Sequence, residues 1–132
     1  GETMPSLRVA KETLMLGDNL RYCVFDAPGG EVELGLRFDG FVFVVDASSL
    51  KKLDEGRRLL HGFYERNGDW IRHVPLQVMA NKQDCPGAVS ANGVKEILSL
   101  SEINVTNKKV VASSVQNLSG CFESFRWLAK SI

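Results

Sequence analysis

The chain has 132 residues, 44% of them hydrophobic and 24% charged, the make-up of one globular domain with one core. Its 16 basic and 16 acidic residues cancel, so no net charge favours a polyanion and nucleic acid is not an expected partner. No apolar run reaches the about 20 residues of a membrane span, and the opening "GETMPSLRVAKE" carries neither a secretory h-region nor a myristoylation motif.

In chain order, "LRVAKETLML" and "LRYCVFDA" flank Gly17-Asp18-Asn19 and predict a β-hairpin. "GFVFVVDAS", residues 40–48, is apolar without alternation, which predicts a strand buried on both faces. After Ser48-Ser49, Leu50, Leu53, Leu60 and Phe63 form one helical face with Leu59 alongside, and Asn67-Gly68 ends it. Lys51, Lys52, Arg57 and Arg58 are expected on its solvated face. "VPLQVMAN", residues 74–81, is a second buried strand. Ser90 is placed to cap a helix carrying Val94, Ile97 and Leu98. "KKVVASS", residues 108–114, is a third strand, and Ser119 opens a last helix with Phe122, Phe125, Leu128 and Ile132. Cys23, Cys85 and Cys121 are odd in number with no metal-ligand spacing, so free thiols in a reducing compartment are expected. His61 and His73 fall in no nucleophile pattern and are expected to be structural or surface residues.

Strands alternating with helices predict a single α/β domain over residues 1–132, with a mostly parallel sheet and right-handed crossovers. Ligands of such sheets bind beyond the carboxyl ends of the strands. Those ends carry Asp26, Asp46, Asn81 to Asp84, and Ser113-Ser114. A carboxylate fixed at Asp84 accepts two parallel N–H bonds, which guanine offers through N1–H and its amino group. Adenine presents a bare acceptor at N1 instead. The Asn81 amide can donate to a purine N7, and the Lys82 stem can lie along a ring. Asn81-Lys82-Gln83-Asp84 thus has the chemistry of a guanine reader. In "VFDAPGG", Asp26 ends a strand where it can hold Mg²⁺ through water, and a Gly can offer its N–H to a terminal phosphate.

Together these motifs resemble the small GTPases of the ADP-ribosylation-factor and factor-like branch, over nearly the whole chain. "TMPSLRVAKETL" resembles switch I and the following strand, with Thr3, Pro5, Glu12 and Thr13 matching and Ser6 standing where the family has a magnesium-binding Thr. "FDAPGG" resembles W-D-V-G-G-Q, so Asp26 and Gly29 match D-x-x-G. "FVFVVDAS" resembles the strand ending in V-V-D-S, and "ANKQD" is the guanine motif with the Gln83 of this branch. Ser114 and Val115 stand where the base-capping loop touches the base, and Trp127-Leu128 matches the W-L near the family's end. The resemblance implies a Ras-like G-domain: three layers, with helices on both faces of a mostly parallel sheet. It implies GTP or GDP with Mg²⁺, and effector or regulatory proteins as partners. The implied role is that of a switch in intracellular membrane trafficking, cytoplasmic or peripheral at a membrane. Membrane association would come only through a segment not in this sequence.

Three departures qualify what is expected. No G-x-x-x-x-G-K-[ST] occurs, so the resemblance is to a G-domain truncated before switch I. The switch II glutamine falls at Gly30, and "GEVELGLRFDG" is shorter than the family's switch II. Hydrolysis is therefore not expected of this chain, and the alternative is a pseudo-GTPase interaction module. Val9 replaces the first interswitch aromatic at the effector surface, whereas Phe25 keeps the second. In the family a first strand separates the strands ending in Asp26 and Asp46. Without it their inner edges must be satisfied, by direct pairing, by a strand from a partner or second copy, or by more chain.

Overall fold

The structure is a computed structural model that describes residues 12–15, 21–26, 38–114 and 130. β1 (Glu12–Met15) runs antiparallel to β2 (Arg21–Asp26), with Glu12 opposite Val24 and Met15 opposite Arg21. This is the expected hairpin pairing; its turn lies outside the described residues. β3 (Gly40–Asp46), β4 (Leu76–Asn81) and β5 (Lys108–Ala112) continue the sheet, parallel to β2 and in sequence order.

β2 pairs directly with β3, from Tyr22 opposite Gly40 to Asp26 opposite Val44. Direct pairing is thus the arrangement that satisfies the two inner edges. The β3–β4 register brings the carboxyl ends of those two strands level, with Asp46 opposite Asn81.

One face of the sheet carries the main core. Phe41, Phe43 and Val45 of β3 and Leu76, Val78 and Ala80 of β4 pack under the two described helices. The first helix, α1 (Leu50–Asn67), buries Leu53, Leu60 and Phe63. Phe63 stands 5.1 Å from Phe25 and 5.2 Å from Phe41, centroid to centroid. Such pairs add about 1 kcal/mol beyond area burial. Gly56 is buried on the same stripe, where a Cβ would meet Val45 Cγ1 at 3.3 Å, so glycine lets the helix approach the strand closely. The expected sheet aromatic Phe25 is part of this core and not of an exposed surface: it is 1% exposed. The cause is the β2–β3 pairing, which sets Phe25 beside Phe43, at 4.9 Å, and beneath Phe63.

Ser49 caps α1, its Oγ accepting from Lys52 N at 3.2 Å, and Gly68 at φ 76° ends the helix in a conformation that side chains resist. Leu50 departs from the predicted apolar face. It is 68% exposed, being the first helical residue, one turn beyond the last buried one, Leu53. The second helix, α2 (Ala91–Ile97), is capped by Ser90 as expected, with Gly93 N donating to its Oγ, and buries Val94. His61 proves structural: its Nε2 lies 2.7 Å from the Leu98 carbonyl, joining α1 to the end of α2.

On the opposite face Val24, Val42 and Gln77 share a cross-strand row, and all three are buried, as is Met79. β3 and β4 are therefore covered on both sides, as their unbroken apolar runs imply. Gln77 is the exception in chemistry, because neither atom of its buried amide has a hydrogen-bond partner among the described residues. The predicted last helix falls outside the described residues, except that Lys130 is helical. Among the described residues no helix is long and apolar enough to cross a membrane.

Candidate functional site

β3, β4 and β5 end side by side; β3 and β4 each lead into a polar turn, and β5 into Ser113 and Ser114. β3 ends at Asp46 rather than continuing to Ser48. The Asp46 carboxylate turns back the chain, its Oδ1 accepting from Ser48 N at 2.9 Å and from Ser48 Oγ at 2.5 Å. Its Oδ2 pairs with Lys82 Nζ at 3.1 Å and lies 3.6 Å from Lys52 Nζ. Burial pushes the Asp46 carboxyl upward, but the Ser48 hydroxyl and amide and then Lys82 outweigh it. They hold the group well below the usual carboxylate range, at about 2. Lys52 is exposed, as expected of the helix's solvated face, and from there its ammonium reaches the Asp46 carboxylate.

β4 ends in Asn81, whose Oδ1 accepts from Ser113 Oγ at 3.0 Å, a bond that links the ends of β4 and β5. Lys82 follows with φ 68°, a left-handed conformation that costs a non-glycine residue about 1–2 kcal/mol. Its surroundings hold it there. Lys82 Nζ is drawn to Asp46, Cys85 N donates to Lys82 O at 3.0 Å, and Gln83 N donates to Ser113 O at 3.0 Å. Gln83 then fastens the turn from inside, its Nε2 donating to Val89 O at 2.9 Å and Ala80 O at 3.2 Å. Gly87, at φ 79° behind Pro86, completes the reversal that carries the chain to the Ser90 cap. Asp84 emerges exposed from this braced turn, and Ser114 is exposed one strand away.

A profile of the ADP-ribosylation factor family matches residues 1–132. The chain belongs to the ADP-ribosylation factor family. Two relatives are the ADP-ribosylation factor-like protein 4D of Mus musculus and that of Homo sapiens. Each is 38% identical over 85 residues, a stretch that covers 64% of this chain and 38% of the relative. The matched stretch is thus well under half the length of those proteins. The fold is that of an α/β Ras-like G-domain, here with four parallel strands among the described residues.

Of the residues that the family resemblance singles out, the structure brings Asn81, Lys82, Asp84 and Ser114 to one end of the sheet. Asp26 ends β2 at that same end, opposite Val44 and two residues short of the level of Asp46. Ser6, Gly29 and Val115 lie outside the described residues. Among those described, no group of three His, Cys, Asp or Glu residues is gathered to hold a metal ion. Proteins of this family bind GTP or GDP with Mg²⁺. The set here, carboxylate, amide and lysine for a base and the Asp26 position for a hard cation, fits those groups by its donor chemistry.

The sequence reading missed the bracing. Asp46 was legible as a strand end, but its role in holding Lys82 was not. The signal for it is Asp46-Ala47-Ser48, an Asx turn in waiting. Gln83 occupies the variable place of N-K-x-D and reads as neutral, although it makes the bonds that fix the turn.

Proposed function

We propose that this chain is a guanine-nucleotide-binding domain of Arf-like type that serves as a switch in intracellular membrane trafficking. Its hydrolytic part is degenerate, with Gly30 where the family has the switch II glutamine. Asp84 accepts the guanine N1–H and 2-amino protons. Asn81, its Oδ1 engaged by Ser113, turns its amide nitrogen toward the purine N7. The Lys82 stem lies along the ring plane, and Ser114 and Val115 flank the base. Asp26 and Ser6 hold Mg²⁺, and Gly29 offers its amide to the terminal phosphate. The Mg²⁺ neutralises phosphate charge when bound; the chain's own residues orient the base and keep the turn in place.

The observation that supports this reading is the braced turn, in which Asp46, Ser113 and Gln83 prepare Asn81 and Asp84 before any ligand arrives. Preorganised polar groups bind with less ordering cost than mobile ones. Titration with a fluorescent GDP analogue, with and without Mg²⁺, tests it beside Asp84→Ala. Saturable binding that falls at least about tenfold in the variant, and that guanosine but not adenosine diphosphate competes away, is expected. Equal competition by the two nucleotides refutes guanine reading.

A second reading is a protein-interaction module that no longer binds nucleotide. It is favoured by the direct pairing of β2 with β3, which leaves no slot between them for a further strand. Gly30, without a side chain to orient water, points the same way for hydrolysis. Absence of binding at millimolar nucleotide, with the fold intact by circular dichroism, selects this reading.

A further inference from the structure

β5 stands at the edge of the described sheet, with β4 as its one described neighbour. In their ladder Leu76 N donates to Asn107 O and Ser113 N donates to Ala80 O, so the odd-numbered residues of β5 turn their backbone toward β4. The intervening Lys108, Val110 and Ala112 therefore turn their N–H and C=O groups outward. A cleft of about 310 Å³ lies at that edge, lined by Asn92, Lys95, Leu100, Lys108, Lys109 and Val110. Lys108 and Lys109, as neighbours on a strand, belong to opposite faces of the sheet. Both line the cleft, so it wraps the strand's edge rather than one face.

The charge of this cleft is of one sign. Lys108 Nζ donates to the Ile103 carbonyl at 2.8 Å, and burial, then the charge of Lys95, push its ammonium below the usual lysine range. Neither Lys95 nor Lys108 has a carboxylate partner among the described residues. An incoming carboxylate would relieve the repulsion between them. Lysines on an edge strand ordinarily hold other strands away. Edge-to-edge pairing with a second copy would bring like-charged lysines onto one short ladder, which disfavours self-association by this route. An acid-bearing strand meets the opposite condition on both counts, ladder and charge.

We propose that the outer edge of β5 is a docking site for an extended, acidic segment of a partner protein, which adds to the sheet as a further strand. Main-chain bonds to Lys108, Val110 and Ala112 supply the attachment, and carboxylates set against Lys95 and Lys108 supply the selection. The site is separate from the strand ends that carry Asn81 and Asp84, and it does not depend on nucleotide binding.

The test uses a fluorescein-labelled peptide of about eight residues alternating glutamate and valine, long enough to cover a strand of this length. Saturable anisotropy is expected, weakening by about tenfold in a Lys95→Glu variant and with rising salt. Hydrogen exchange at Lys108, Val110 and Ala112 slows in the bound state. Methylating alternate peptide nitrogens, which removes the outward ladder bonds, abolishes both effects. Since Lys95 is exposed, the variant keeps the wild-type circular dichroism spectrum. A methylated peptide that binds as well as its parent overturns strand addition. So does an absence of peptide binding, or protection of those amides by phosphatidylserine vesicles and not by the peptide.

Discussion

Asp46 gives the sharpest test of how the site is held. Replacing it with Asn keeps the size of the side chain and an oxygen for Ser48, but removes the charge that meets Lys82 and Lys52. The folded carboxyl lies near about 2, against 3.8 for an ordinary aspartate. A lowered folded value means that the ionised form is the one stabilised. The contribution is complete above the unfolded value, near pH 4, and is lost as pH falls through about 2. A difference of nearly two units corresponds to about 2 kcal/mol. Most of the lowering comes from the Ser48 hydroxyl and amide, to which Asn still offers an oxygen, and Lys82 is about half exposed, at 51%, so the loss comes to about 1 kcal/mol. Urea denaturation followed by circular dichroism should therefore find Asp46→Asn about 1 kcal/mol less stable at pH 7, with roughly half of that gap remaining at pH 3. Added salt should narrow the gap at pH 7. A gap that stays constant with pH, or widens as the solution is acidified, refutes the electrostatic account of Asp46.

Two further substitutions probe the core and the turn. Gln77→Leu should raise stability by about 1–3 kcal/mol in the same assay, because it removes a buried amide with no partner among the described residues; a loss of stability would show that the amide is satisfied in solution. Gln83→Ala deletes the bonds to Ala80 and Val89 and should lower stability by about 1–2 kcal/mol. Hydrogen exchange should then quicken in residues 82–89 while β3 stays protected, and uniform acceleration across the sheet would contradict a local role.

Much of the architecture follows from local pattern. Unbroken apolar runs mark β3 and β4 because a strand covered on both faces has no water-facing side to alternate with. Ser49 and Ser90 announce their helices because a hydroxyl at that place satisfies an amide that the helix cannot. N-K-x-D announces the site, since few residue sets can answer guanine's paired donors. Phe25 shows where such reading stops. Its sequence neighbours make it the matching aromatic of an effector surface, yet β2 lies directly against β3 and the ring is carried into the core. Leu50 fits the helical stripe by spacing and is exposed, because a stripe tells direction but not how far the sheet extends beneath it.

The sequence by itself determined the class of fold, the order of its strands and helices, and the strand-end residues proposed to read a guanine base. Those properties depend on side-chain chemistry and short-range spacing, which are present in the chain before it folds. Only the tertiary structure decided which strands are neighbours, and hence that Asp46 reaches Lys82, that Ser113 reaches Asn81, and that Lys95 and Lys108 face one cleft at the edge of β5. The first two join residues far apart in sequence through the register of the parallel strands, and the third depends on where α2 lies beside β5, rather than on either residue alone.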